Sequence, residues 1–132
     1  MKKIVLLAII AITLTSCRVT KTFTLLNAKG SSNNTEMAFL KNKGERFAFL
    51  DLSEDQKQKA VQIWETEKQE LGDAYSKKNK EIAQIIYKSE TSMRSLLTQE
   101  QLTKYREKYK GLLTSAGLND KQLEELKRIY KL

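Results

Sequence analysis

The chain has 132 residues and a formal net charge of +8, with one cysteine and neither proline nor histidine. A single cysteine excludes a disulfide within the chain, and the lack of histidine removes the commonest general base and the commonest transition-metal ligand. Abundant Lys, Glu, Gln and Leu favour helix. The composition therefore predicts an all-α protein that holds no metal and no other cofactor.

The first residues have the pattern of an export signal. A cationic start, Met1-Lys2-Lys3, precedes the apolar run from Ile4 to Leu14, which is too short to span about 30 Å of hydrocarbon. The tetrapeptide Leu14-Thr15-Ser16-Cys17 resembles a bacterial lipobox, in which an aliphatic residue and two small ones precede a cysteine that is lipidated before cleavage. We expect residues 1–16 to be a signal peptide and Cys17 to carry the lipid. The alternative is an ordinary signal peptide that contains a free thiol.

A lipidated Cys17 would place the chain in the cell envelope, anchored to a membrane by its acyl chains. Arg18 is not the aspartate that resembles an inner-membrane retention signal, and no acidic run resembling a surface-export signal follows it. We therefore expect the periplasmic face of the outer membrane. Because the basic residues are interspersed with acidic ones and the chain is exported, we expect no nucleic-acid partner.

Residues 17–44 are predicted to be a tether between the lipid and the folded part. Their clearest loop signal is the polar run at 29–34, although 22–26 has the composition of a short strand and 37–40 that of a helical turn. Three phenylalanines close to this segment pack against the folded part or, alternatively, touch lipid or a partner: Phe39, Phe47 and Phe49.

Residues 45–132 are predicted to form a helical domain. A stripe with spacings of 3, 7, 4, 7 and 3 resembles the a and d positions of a coiled coil: Val61, Trp64, Leu71, Tyr75, Ile82 and Ile85. It predicts one long helix over 53–96, with Gly72 or the polar stretch 76–80 as the place where that helix bends or divides. A second helix and, after a break at 115–117, a short third one follow. The expected fold is a long helical hairpin plus a short C-terminal helix, after an irregular N-terminal tether.

Three segments share the pattern of a helix start. Each has an apolar residue, a capping residue, two polar residues and a glutamine, beginning at Leu52, Leu97 and Leu118. In a capping box the Ser, Thr or Asn side chain accepts from the amide three residues on, and the glutamine side chain accepts from the cap amide. The residues expected to form the first two boxes are Ser53 with Gln56 and Thr98 with Gln101.

The first two copies resemble the LTxxQ motifs of the Spy/CpxP family, over roughly 52–109 of this chain. The family consists of periplasmic all-helical proteins that include an ATP-independent chaperone and a modulator of an envelope-stress sensor kinase. The resemblance implies a thin, curved, antiparallel dimer whose concave face binds clients. Ser53 stands where the family prefers threonine, the motifs are closer together than in its better-known members, and the metal-binding histidines of some relatives have no counterpart.

From this resemblance we expect a protein that binds unfolded or envelope proteins as a chaperone or stress modulator, and the lipobox would tether it to a membrane. Because the sequence has no histidine, no thiol beyond Cys17 and no recognisable catalytic motif, we expect no enzymatic activity. A homodimer or a partner would cover apolar surface that one chain leaves open. The alternative function is a structural or scaffolding coiled-coil lipoprotein. The candidate client-binding residues are Trp64, Tyr75, Ile82, Ile86, Lys68, Lys77, Lys78 and Arg94. Their alternative interpretation is that the apolar members are core and the lysines a solvated face.

Overall fold

The computed structural model describes residues 28–110 and 118–132, and within them every regular element is helical. The expected signal peptide, Cys17, the short strand at 22–26 and the break at 115–117 lie outside the described residues. A helical segment at 28–32 is followed by five α-helices: α1 (Glu36–Phe47), α2 (Glu54–Leu71), α3 (Asn79–Leu96), α4 (Gln99–Tyr109) and α5 (Asp120–Tyr130). Short 3-10 turns at Ala48–Leu50 and Ala74–Ser76 flank α2. The prediction of an all-α fold is confirmed.

The prediction of one long helix over 53–96 is wrong, because the chain leaves the helix at Gly72 and the next α-helix begins only at Asn79. The break therefore includes Gly72 and the first part of the polar stretch 76–80, the two places considered for a bend or division. Gly72 has φ +47° and ψ −123°, which residues with a Cβ rarely adopt, and its amide donates to the Lys68 carbonyl at 3.1 Å. The chain then reverses, so α2 and α3 pack as an antiparallel hairpin. Lys88 on α3 pairs with Glu70 on α2 at 2.8 Å, close to the reversal.

The structure differs from the expected tether at residues 28–44, because this part belongs to the folded domain. Thr35 caps α1 by accepting from the Ala38 amide at 3.2 Å. Phe39 and Phe47 lie two helical turns apart on one face of α1 and are both buried. Lys43 forms an ion pair with the buried Glu67 at 2.8 Å, which fixes α1 antiparallel to α2. The apolar residues of this helix are the run 37–40 and Phe47, and this spacing did not form the repeated stripe that would indicate a packed helix.

Aromatic side chains join α1 and α2 to α4. The Phe47 ring stacks on the Tyr105 ring with centroids 5.1 Å apart, and it lies 5.8 Å from the Trp64 ring. Tyr105 is 1% exposed, so this cluster is the centre of the core near the junction of the three helices. The C-terminal helix α5 packs on α3 through a face that includes the buried Leu123 and Leu126.

In the described part of the chain, no helix combines the length and the apolar character needed to cross a bilayer.

Candidate functional site

The repeated motif forms a capping box at the start of α2, α4 and α5. At α2 the Ser53 hydroxyl accepts from the Gln56 amide at 3.1 Å, and the Ser53 amide donates to Gln56 Oε1 at 3.0 Å. Thr98 and Gln101 make the same two bonds at 3.2 and 3.0 Å. Each box satisfies amides that the first turn of a helix otherwise leaves unpaired.

The two glutamines at 56 and 101 also bind each other, and we call this the glutamine pair. Gln56 Nε2 donates to Gln101 Oε1 at 2.7 Å, and Gln101 Nε2 donates back to Gln56 Oε1 at 3.1 Å. The second hydrogen of each amide goes to a carbonyl, from Gln56 to Leu96 at 3.2 Å and from Gln101 to Leu50 at 3.3 Å. Both side chains therefore use both donors and accept twice, so the starts of α2 and α4 are joined with no unmet polar group.

The apolar residues of the two motifs pack beneath the glutamine pair. Leu97 is buried, and Leu52 is partly buried against the same core. The six motif residues are thus brought to one end of the hairpin, although the two copies lie 45 positions apart. Sequence reasoning identified each copy as a local helix start, and only the fold joins them.

A second polar junction, which sequence reasoning missed, surrounds the carbonyl oxygen of Leu118. Arg46, 3% exposed, donates to this oxygen at 2.8 Å and to the Tyr105 hydroxyl at 2.7 Å. Arg94 donates to the same carbonyl at 2.9 Å. Arg46 also lies over the rings of Tyr105 and Tyr109, at 5.2 and 4.5 Å from their centroids. We call these residues, with Glu90 and Asp120, the arginine cluster.

The acids of the arginine cluster compensate the charge of Arg94. Arg94 Nη1 lies 2.7 Å from Glu90 Oε2, and Arg94 Nε lies 2.8 Å from Asp120 Oδ1. Asp120 also accepts from Arg106 at 2.6 Å. Because α1, α3, α4 and α5 all contribute, this cluster attaches the C-terminal helix to the rest of the domain.

Burial and charge shift the ionisation of the cluster away from neutral pH. Burial raises the pKa of Tyr105 far above its usual value, and the charge of Glu90 adds to the effect. Burial alone would raise the pKa of Asp120, but hydrogen bonds from Arg94 and Arg106 outweigh it and lower that pKa. Burial disfavours the charged form of Arg94, yet Glu90 and Asp120 raise its pKa overall. The ion pair of Arg94 with Asp120 is therefore charged at neutral pH, while the Tyr105 hydroxyl stays protonated.

The structure distributes the eight candidate client-binding residues over several environments. Trp64, Ile82 and Ile86 are core residues, as their alternative interpretation held, and Arg94 belongs to the arginine cluster. A heptad stripe indicates a face that packs, and here that face packs within the same chain.

The remaining four candidates lie towards the turn between α2 and α3. Lys68 donates to the Ser32 carbonyl at 3.1 Å, and Lys77 lies 3.6 Å from Glu81. Lys78 is exposed, and Tyr75 is 59% exposed. These residues share a region but do not form one continuous surface with the four described above.

A groove lies open between α2 and α3 in the described part of the chain. It has a volume of about 460 Å³ and continues into a second depression of about 330 Å³ through Glu70, Ile85 and Lys88. Its apolar lining comes from Ile63, Ile85 and Leu96, and three small residues on successive turns of α3 leave space beside them: Ser89, Ser92 and Ser95. Ile85 was identified in the sequence as a member of the heptad stripe, but Ile63 and the three serines were not, because they lie beside that stripe.

Within residues 28–110 and 118–132, no group of three or more His, Cys, Asp or Glu side chains is placed to hold a metal ion. Neither a family model nor a curated protein nor a solved structure matches the chain.

Proposed function

We propose that the chain is a lipid-anchored envelope protein whose helical domain binds unfolded or partner proteins, as an ATP-independent chaperone or an envelope-stress modulator. The observation that carries the proposal is the glutamine pair. If the two motifs were only separate helix starts, nothing would require the glutamine of one to hydrogen-bond to the glutamine of the other, 45 positions away. This supports treating the two motifs as one unit, as the resemblance to LTxxQ proteins implies.

The groove between α2 and α3 is the surface that we assign to the client. Its lining combines aliphatic side chains with a polar rim that carries both signs of charge, from Lys59, Lys88 and Glu70. An extended segment of unfolded polypeptide can place one or two aliphatic side chains on the partly buried Ile63 and Leu96 while its backbone remains hydrated. Such contacts are weak and tolerate many sequences, which suits a protein that holds clients without ATP.

Filling the groove tests this assignment without removing core atoms. Ser92 lies in the lining of the groove and is only partly buried. In a light-scattering assay with an aggregating client, the mature chain without its lipid should suppress aggregation at stoichiometric amounts. Ser92→Arg, which places a long charged side chain in the groove, should reduce suppression several-fold.

Thr103→Arg is the matched control, since it adds the same side chain at an exposed position of α4 outside the groove. Equal activity of both variants would assign the client to another surface. No suppression by the unmodified domain would overturn chaperone action itself.

A structural scaffold is the second candidate function, and it would need a different shape from the one observed. A rod would need a continuous helix, whereas α2 and α3 have 18 residues each, about 27 Å, and fold back on each other. Solution scattering and sedimentation separate the two functions. A compact monomer or homodimer supports the binding module, and an extended oligomer of regular stoichiometry supports the scaffold.

A further inference from the structure

The first described residues and the turn between α2 and α3 lie at the same end of the domain. We call residues 28–37 and 72–81 the entry end. Two contacts hold them together. Lys29 Nζ lies 5.9 Å from the centroid of the Tyr75 ring, and Lys68 near the end of α2 donates to the Ser32 carbonyl at 3.1 Å. Because α1 runs antiparallel to α2, the start of α1 lies at this end, and the glutamine pair lies at the other.

The entry end carries the two large hydrophobic side chains that are exposed among the described residues. Met37 is 82% exposed and Tyr75 is 59% exposed. Either alone would be ordinary for a soluble surface. Together, with Lys29 over the tyrosine ring, they form the mixture of aliphatic, aromatic and lysine side chains that favours the interface between water and lipid headgroups.

The entry end and the stretch of sequence that leads into it from Cys17 together carry an excess of positive charge. No acidic residue stands between Cys17 and Glu36, while Arg18, Lys21 and Lys29 fall in that stretch. With the turn of the hairpin included, six basic residues oppose three acidic ones, Glu36, Asp73 and Glu81. The basic residues are Arg18, Lys21, Lys29, Lys77, Lys78 and Lys80. Among them Lys77 is paired with Glu81, whereas Lys78 and Lys80 are exposed at the start of α3.

We propose that the entry end docks on an anionic bilayer surface, as a second membrane signal beside the lipid on Cys17. This inference rests on the lipid anchor of the proposed function. Ala28 follows Cys17 by eleven positions, so even full extension allows no more than about 40 Å between them. The anchor therefore keeps the entry end within reach of the headgroups. Docked in this way, the hairpin points away from the membrane and its groove stays accessible to clients.

Vesicle binding of the unlipidated chain tests the docking directly. The probe is the mature chain with Cys17→Ser, mixed with phosphatidylcholine vesicles that contain about 30% phosphatidylglycerol. We expect binding to these vesicles and none to pure phosphatidylcholine. Replacing Lys29, Lys78 and Lys80 with Gln should weaken binding about tenfold or more.

The matched control removes three exposed lysines from the opposite end, Lys57, Lys59 and Lys104, again with Gln. It should leave most of the binding in place. An equal loss in both triple variants would show attraction by net charge alone and would overturn a defined docking surface. Absence of binding to the anionic vesicles would overturn the proposal outright.

A labelling experiment reports the orientation and does not depend on changing the lysines. The Cys17→Ser chain contains no cysteine, so Met37→Cys accepts a single environment-sensitive dye at an exposed site. Its emission should shift to the blue on anionic vesicles, while the same dye at Gln58→Cys, at the other end, should not shift. Identical shifts at both sites would contradict docking through the entry end. These readouts are independent of client suppression, so either proposal can fail while the other stands.

Discussion

The glutamine pair and the arginine cluster both join helices that are distant in sequence, but they do so with different chemistry. The glutamine pair is neutral and partly accessible, and each member also caps its own helix. The arginine cluster is charged and buried, and Arg46 reaches a carbonyl 72 positions away. A neutral amide can be satisfied by local structure first and by the fold afterwards. A buried guanidinium has no acceptable partner until several helices are in place.

Among substitutions at the two junctions, removing Arg46 should lower the free energy of unfolding most. Arg46→Ala takes a donor from Leu118 and from Tyr105 and leaves a cavity beside two tyrosine rings. We expect the free energy of unfolding, measured with urea, to fall by about 3 kcal/mol. Arg46→Lys, which keeps the charge but not the forked donors, should lose less.

Arg106→Ala is the control for this prediction, because Arg106 also belongs to the contacts of Asp120 but its side chain is 53% exposed. It should cost less than about 1 kcal/mol. Equal losses of stability for the Arg46 and Arg106 variants would contradict burial as the reason for the large effect at Arg46.

A double-mutant cycle on the glutamine pair should show a smaller but strongly non-additive effect. Gln56→Ala and Gln101→Ala each leave their counterpart with an unused donor and should each cost about 1–2 kcal/mol. Together they should cost less than the sum, with an interaction energy of about 1 kcal/mol in urea unfolding.

The exposed Gln58 on the same helix supplies the control, and Gln58→Ala should change stability by less than about 0.5 kcal/mol. Strictly additive losses at 56 and 101 would show that the two motifs act as separate caps and would remove the main support for treating them as one unit.

The pH dependence of the arginine cluster should be the smallest effect, because the Asp120 side chain is 43% exposed and its interactions are screened. The pKa of Asp120 is lower in the folded chain than in the unfolded one. Between these two pKa values the unfolded chain therefore binds more protons than the folded chain. The stabilisation by Asp120 is fully present above the unfolded pKa of about 3.9, and it is lost as the pH falls through the folded pKa.

Comparing urea unfolding at neutral and acidic pH measures this contribution. Asp120→Asn should lower stability at neutral pH and flatten the dependence below about pH 4. Asp55→Asn, an exposed acid outside the cluster, controls for the loss of one negative charge. A steeper dependence in Asp120→Asn than in the parent chain would contradict the ion pairs at this site.

Most of the local structure could be predicted because its causes are local. The capping boxes depend on residues three positions apart. The helix from Glu36 to Phe47 could not be predicted with the same means. Its buried Phe47 finds ring partners on α2 and α4, and its buried Phe39 lies under Lys68 of α2. A buried arginine carries no signal in the sequence, since Arg46 resembles any exposed basic residue until its acceptors are known.

For the candidate client-binding residues, too, the sequence predicted one part and only the fold decided the other. The heptad spacing identified Trp64, Ile82 and Ile86 as residues of a packing face, but spacing alone does not say whether the packing partner is the same chain, another copy or a client. The structure places them in the core of one chain and leaves the groove beside Ser92 open.

The amino-acid sequence by itself determined the helical class and the capping boxes at the starts of α2, α4 and α5, because both follow from propensity and hydrogen bonding within a few residues. It did not decide where, or whether, the segment 53–96 reverses. Only the tertiary structure decided that two of those starts are joined by the glutamine pair, that residues 28–44 are folded, and which face remains open. These features depend on segments that lie 24 to 72 positions apart, such as Lys43 with Glu67 and Arg46 with Leu118, and meet only when the chain is packed.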